Sequence, residues 1–156
     1  MKTAPFHRSL SDMKYKILCE ADIEKVIPLY LEYYNNHEGT KWTKEKVFRR
    51  IHQVWSCEGS YCLILENGEK VLGFAMGYLE QYDDCKAYNL AEIVIASEYQ
   101  KKGIGTALMM ELEHRVKGMG AALIQLQAVN DAAHSRFYGR LGYQNANNLI
   151  LKTKWL

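Results

Sequence analysis

The run Gln100-Lys101-Lys102-Gly103-Ile104-Gly105-Thr106-Ala107-Leu108 follows a mostly apolar segment, 87–96, and opens a stretch with helical spacing. The order is strand, glycine-containing turn, helix. Gly103 and Gly105 let a ligand approach the backbone with no Cβ in the way. The first turn of a helix carries N–H groups without intrahelical partners, and the helix dipole adds positive potential there. Such a place can hold a diphosphate. Lys101 and Lys102 add cationic charge beside it. The Walker pattern Gly-x-x-x-x-Gly-Lys-Ser/Thr does not occur. A dinucleotide fingerprint has a small residue at its sixth position and follows the first strand. Here Leu108 holds that position, and the loop follows the fourth predicted strand.

Upstream, Tyr15, Ile17 and Cys19 alternate as in a strand. Asp22 is expected to cap a helix carrying Ile23, Val26, Ile27, Tyr30 and Tyr34, with Pro28 kinking it or marking its first turn. Thr43 caps a second helix with Val47, Ile51, Val54 and Trp55 on one face. Strands over 60–65 and 71–79 join through Asn67-Gly68, a hairpin signal. Gly73 and Gly77 mark close approaches or bends. A polar loop, 81–86, leads to a central strand over 87–96. Downstream of the glycine loop, the helix over 103–117 buries Ile104, Leu108, Leu112 and Val116. A strand over 121–128 follows, then a short helix with Ala133, Phe137 and Leu141 on one face. Two last strands are predicted over 143–145 and 149–155. The class is α/β (α+β): a mixed, mostly antiparallel twisted sheet of about seven strands with about four helices.

At 156 residues the chain is one ordinary domain. Residues 1–12 show little pattern and read as a loose extension, with the domain over 13–156. They hold no apolar stretch of the secretory kind. A net charge of +2 is too small to point to a nucleic-acid partner. No run approaches the ~18–20 apolar residues of a membrane span. Cys19, Cys57, Cys62 and Cys85 form no Cys-x-x-Cys pair, and the five histidines show no metal spacing. A cytoplasmic protein without a metal, a nucleic-acid partner or a membrane partner is the expectation.

Two motifs then carry a resemblance. Gln100-x-x-Gly103-x-Gly105 is similar to the Gln/Arg-x-x-Gly-x-Gly/Ala signature of the GNAT superfamily of acetyl-CoA-dependent N-acetyltransferases. Asn130-Asp131-Ala132-Ala133-His134-Ser135-Arg136-Phe137-Tyr138-Gly139-Arg140-Leu141-Gly142-Tyr143 resembles its second motif, Asn-x-x-Ala-x-x-Phe-Tyr-x-x-x-Gly-Phe/Tyr. The resemblance spans about residues 14–156. It implies a fourth and fifth strand splayed to admit acetyl-CoA. Backbone groups of Ile93, Val94 and Ile95 would pair with pantetheine. Backbone N–H groups of Lys101, Lys102, Gly103, Ile104, Gly105 and Thr106, following Gln100, would hold the diphosphate. Asn130 would reach the pantetheine arm beside Ala133, and Tyr138 would face the thioester sulfur.

The chemistry assigns roles to these residues. An alkyl ammonium has a pKa near ~10.4, so the acceptor amine must lose a proton before it attacks. The departing thiolate needs one. Tyr138 is the candidate acid. Glu92, an acid within an apolar strand, is the candidate base, directly or through water. A backbone N–H near Val94 is placed to stabilise the oxyanion. Transfer is expected to be direct, in a ternary complex; Cys85 has no motif support as a nucleophile. Tyr33, Tyr34, His37, Glu38 and Trp42 in one region, and Tyr82 and Asp83 in another, are candidates to bind the acceptor. Carboxylates beside aromatic rings suit a cationic amine: a polyamine, an aminoglycoside or a protein or peptide amine. The last strand is open to pairing in a homodimer. Alternatives are a coenzyme-A-binding regulator without turnover, a nucleotide-binding module using Gly103 and Gly105, and an interaction module.

Overall fold

The computed structural model describes residues 12–156. The extension expected over 1–12 lies outside the described residues except for Asp12. β1 (Met13–Ile17) leads through a 3-10 turn (Glu20–Asp22) into α1 (Ile23–Leu31), which widens into a π-helical turn (Glu32–His37). α2 (Lys44–Trp55) precedes the meander β2 (Ser60–Asn67), β3 (Lys70–Gln81) and β4 (Lys86–Ile95). α3 (Ile104–Gly118), β5 (Ala121–Leu126) and α4 (Ala132–Arg140) follow. The strands lie in the order β1-β2-β3-β4-β5. The first three pairings are antiparallel and β4–β5 is parallel, with α3 as the crossover.

Both faces of the sheet are covered. Cys62 and Ile64 pack with Ile27, Tyr30, Val47 and Ile51 in one cluster. Leu63 and Leu65 pack with Leu108, Leu112 and Val116 in the other. β2 therefore reads as an unbroken apolar run, as expected of a strand buried on both sides. Leu108, Leu112 and Val116 recur at helical spacing on α3 and close the second face.

Three expectations need correction. The sheet has five strands, not about seven: the segments 143–145 and 149–155 form none among the described residues. A strand needs a neighbour for its N–H and C=O groups. β5 pairs on one side with β4, and no strand among the described residues pairs with its other edge. Asp22 does not cap α1 with its side chain. Its carboxylate instead accepts from the Cys19 N–H at 3.1 Å and pairs with Lys16 and Lys25. Burial alone would raise its pKa; these donors outweigh burial and hold its carboxyl far below the usual range. Pro28 does not mark the first turn of α1: the helix starts at Ile23, holds Pro28 in its interior and widens after Leu31.

Gly77 is required by close approach. A Cβ there would sit 2.0 Å from the Asn89 carbonyl oxygen and 2.8 Å from the Tyr88 ring. β3 and β4 would have to part to admit it. Gly77→Ala is expected to lower the unfolding free energy by about 1–3 kcal/mol. Urea denaturation measures this, and an unchanged midpoint would contradict the contact.

Candidate active site

β4 and β5 pair only as far as Leu90 and Leu126. β4 continues to Ile95, while β5 ends and the chain turns off toward α4. A cleft of about 830 Å³ opens in this gap, walled by Ala91–Ile93 and Ile95 on one side and Leu126–Val129 on the other. Backbone groups on that edge of β4 have no strand partner beyond Leu90. A ligand chain can therefore lie along them as a strand would.

One extra residue aims the acid in β4. Met76 faces Glu92 and Gly77 faces Leu90, so Ala91 is a bulge. A bulge switches which face the following side chains occupy. Leu90 packs under α3, whereas Val94 packs under α1 and α2. Glu92 is turned toward α1 and α2 and is only 8% exposed. Tyr34 donates to its Oε2 at 2.6 Å, and Tyr30 donates to its Oε1 at 3.2 Å. The two tyrosines are four apart on the helix, so both reach the same carboxylate. The Arg50 Nε donates to Oε1 at 3.0 Å from α2. Burial first and the Glu92 charge second push both tyrosine hydroxyls far up, so they remain proton donors.

Tyr138 stands across from this cluster on α4, with its ring edge-on to Phe137 and Tyr143. Its hydroxyl has no hydrogen-bond partner among the described residues. Burial, followed by Tyr33 and the Glu92 charge, pushes it up to about 12. It holds its proton throughout the neutral range.

The loop before α3 is set by local geometry. The Gln100 side chain donates to the Ile95 carbonyl at 3.0 Å, tying the loop to the end of β4. Lys101 (φ 57°) and Gly103 (φ 80°) both turn left-handed, and Gly103 begins the helix. The first ladder bond runs from the Ala107 N–H to the Gly103 carbonyl at 3.0 Å. The N–H groups of 104–106 precede that ladder and are free for an anion. Lys101, His134, Arg136 and Arg140 line the same cleft, so that part of it is basic. Asp131 caps α4 by accepting the His134 N–H at 2.7 Å and also meets the His134 Nδ1 at 2.8 Å. Glu38, Glu92, Tyr33 and Tyr34 make another part acidic and aromatic. The donor set fits a long anionic cofactor running from a phosphate end toward Tyr138.

The predicted residues divide accordingly. Ile93, Ile95, Gln100, Lys101, Gly103, Gly105, Thr106, Ala133 and Tyr138 line the cleft with Glu92, Tyr33, Tyr34 and Glu38. Val94 and Ile104 are buried beneath it and offer only backbone. The Lys102 ammonium turns back to the Glu98 carbonyl at 2.6 Å. Asn130 is exposed outside the cleft lining. His37 meets the Ser97 hydroxyl at 3.1 Å, and Trp42 is tied by its backbone to the Asn35 side chain. Both lie outside the lining. Tyr82 and Asp83 sit in the loop before β4 and are outside the cleft lining. Tyr82 is held there by Glu80 and Gln125. Sequence reasoning missed Arg50, Tyr30, Arg136 and Arg140. Only the last two carried a signal, lying within the second motif.

A model described as the acetyltransferase (GNAT) family matches residues 23–143. The chain belongs to the GNAT acetyltransferase family. No curated protein sequence matches it. Several solved structures share the GNAT fold. A possible acetyltransferase from Clostridium difficile 630 aligns at a TM-score of 0.79 and 13% identity, covering 92% of this chain and 98% of that one. The glucosamine-6-phosphate N-acetyltransferase of Arabidopsis thaliana gives 0.66 and 20%, covering 90% and 97%. An aminoglycoside acetyltransferase from an uncultured soil metagenomic sample, in complex with sisomicin, gives 0.70 and 15%, covering 94% and 97%. At these identities the likeness is one of fold.

Removing Arg50 leaves the buried Glu92 carboxylate with hydroxyl donors alone. Losing one partner of a fully buried pair costs roughly 3–5 kcal/mol. Arg50 is 37% exposed, so water replaces part of the loss. Arg50→Met is expected to lower the unfolding free energy by about 1–3 kcal/mol. Urea unfolding at neutral pH is the check; no change would mean the pair contributes nothing.

Proposed function

We propose that this GNAT protein is an acetyl-CoA-dependent N-acetyltransferase acting on a cationic primary amine by direct attack in a ternary complex. The observation that carries the reading is the single cleft in which a basic part, Tyr138 and the Glu92 cluster meet. Acetyl-CoA supplies the activated acetyl thioester. The open edge of β4 at Ile93–Ile95 and the N–H groups of 101–106 hold its arm and diphosphate, with Lys101, Arg136 and Arg140 adding charge. Asn130 stays a candidate for the arm from the neighbouring loop.

The acceptor enters against Glu38, Tyr33 and Tyr34. A carboxylate and ring faces attract an ammonium by charge and cation–π contact. The Glu92 carboxylate takes the ammonium proton, directly or through the Tyr34 hydroxyl that donates to it at 2.6 Å. The freed amine attacks the thioester carbonyl and the C–S bond breaks; Tyr138 gives its hydroxyl proton to the departing sulfur, and the second proton lost by the attacking nitrogen replaces it. A hydroxyl pushed up to about 12 is protonated when needed, at neutral pH. Polyamines, aminoglycosides and protein or peptide amines all present such an ammonium. Cys19, Cys57, Cys62 and Cys85 are free thiols, which supports a reducing compartment and a cytoplasmic site of action. No helix of the described residues is long and apolar enough to cross a membrane.

The test is release of free thiol from acetyl-CoA across a panel of amines. Tyr138→Phe is expected to lower kcat by roughly 10²–10⁴-fold with little change in cofactor affinity. Unchanged turnover removes Tyr138 from the mechanism. Glu92→Gln is expected to lower kcat by a similar ~10²–10⁴-fold if the carboxylate takes the proton; wild-type turnover in that variant excludes it as base. Binding of acetyl-CoA with no turnover on any amine makes the protein a coenzyme-A-binding regulator instead.

A further inference from the structure

The turn that walls the acceptor end of the cleft is held from outside by one hydroxyl. The π-helical turn Glu32–His37 carries Tyr33 and Tyr34, and both line the cleft. Wide turns of this kind often sit at functional sites. Its first and last residues, Glu32 and His37, are exposed and lie outside the lining. Both reach Ser97, just beyond the end of β4. The Ser97 hydroxyl donates to the Glu32 carboxylate at 2.7 Å. That uses its single proton, so at 3.1 Å its oxygen accepts from the His37 Nε2–H.

Ser97 is itself fixed on the cofactor side. It opens the short 3-10 turn Ser97–Tyr99, which joins β4 to the glycine loop. Its carbonyl accepts the Gln100 N–H at 3.3 Å, and the Gln100 side chain returns to the Ile95 carbonyl at 3.0 Å. Inside the cleft, Tyr34 donates to Glu92 at 2.6 Å. The π-turn is thus joined to β4 through Glu92 on the inside and to the end of that strand through Ser97 on the outside. Asn35 adds bonds to Thr40 and Trp42, which tie the turn only to the chain that follows it.

We propose that Ser97 is a positioning residue for acceptor binding. Its hydroxyl clamps both ends of the π-turn to the end of β4. The clamp keeps Tyr33 and Tyr34 in register with Glu92 and with the cofactor groove on the same strand. The proposal rests on the reading that these tyrosines receive the amine. It also gives His37 a role: His37 lies outside the cleft and acts through the residues that line it.

The test compares wild type with Ser97→Ala and with Ser97→Thr, which keeps the hydroxyl. Amide hydrogen exchange reads the clamp itself, whatever the protein acetylates. Exchange at 33–38 is expected to quicken about tenfold in Ser97→Ala and to return toward the wild-type rate in Ser97→Thr. Ser97→Ala is expected to raise KM for the amine roughly 3–10-fold, the loss of one to two hydrogen bonds. An unchanged kcat would go with it, as for lost ground-state binding, and an unchanged Kd for acetyl-CoA. Unchanged exchange at 33–38 overturns the proposal. So does a lowered urea midpoint with an unchanged amine KM, which marks a merely structural bond. A wild-type protein that turns over no amine overturns the acceptor reading and with it the role given to Ser97, while exchange at 33–38 still decides whether the clamp exists.

Discussion

The site depends on what β4 does at two successive residues. At Leu90 it loses β5, and at Ala91 it bulges against β3. The first event frees one backbone edge and opens the cleft. The second turns Glu92 away from the α3 side and into the tyrosines of α1 and the arginine of α2. Gly77 makes the bulge possible, since no larger residue fits against the Asn89 carbonyl there. The cleft and the orientation of the Glu92 carboxylate therefore share one local irregularity in β4. Bulges commonly re-aim a side chain in this way next to an active site.

The electrostatics of the cleft follow from which elements reach it. The glycine loop and α4 supply cations and a helix start. The π-helical turn after α1 supplies carboxylate and phenol groups. A buried carboxylate is tolerated only with partners, and Glu92 has a guanidinium and two hydroxyls. Those partners also fix its orientation. Tyr138 has the opposite design: a half-buried hydroxyl with no described partner, available to whatever occupies the gap.

Much of this was legible in the sequence. The strand–glycine–helix order and the two motifs single out Gly103, Gly105 and Tyr138, and these residues line one cleft. Of the two caps expected, Thr43 holds as a side-chain cap and Asp22 does not. The rest depends on tertiary geometry. Arg50 is one of two adjacent arginines on α2, and only the bulge at Ala91 brings Glu92 to it. Tyr82 and Asp83 are acceptor-like by composition but do not line the cleft, and Gln125 links the Tyr82 hydroxyl to the strand beside it. The segment 149–155 is patterned as a strand yet forms none among the described residues, because pattern reports which face wants burial and not what buries it.

The central claim is that the open edge of β4 and the first turn of α3 form the cofactor site. Amide shifts in an isotope-labelled sample titrated with acetyl-CoA test it most directly. The account predicts that the largest shifts fall on Ala91–Ile95 and Gly103–Thr106, saturating together. Saturable binding whose shifts fall elsewhere, or no binding at all, would contradict it.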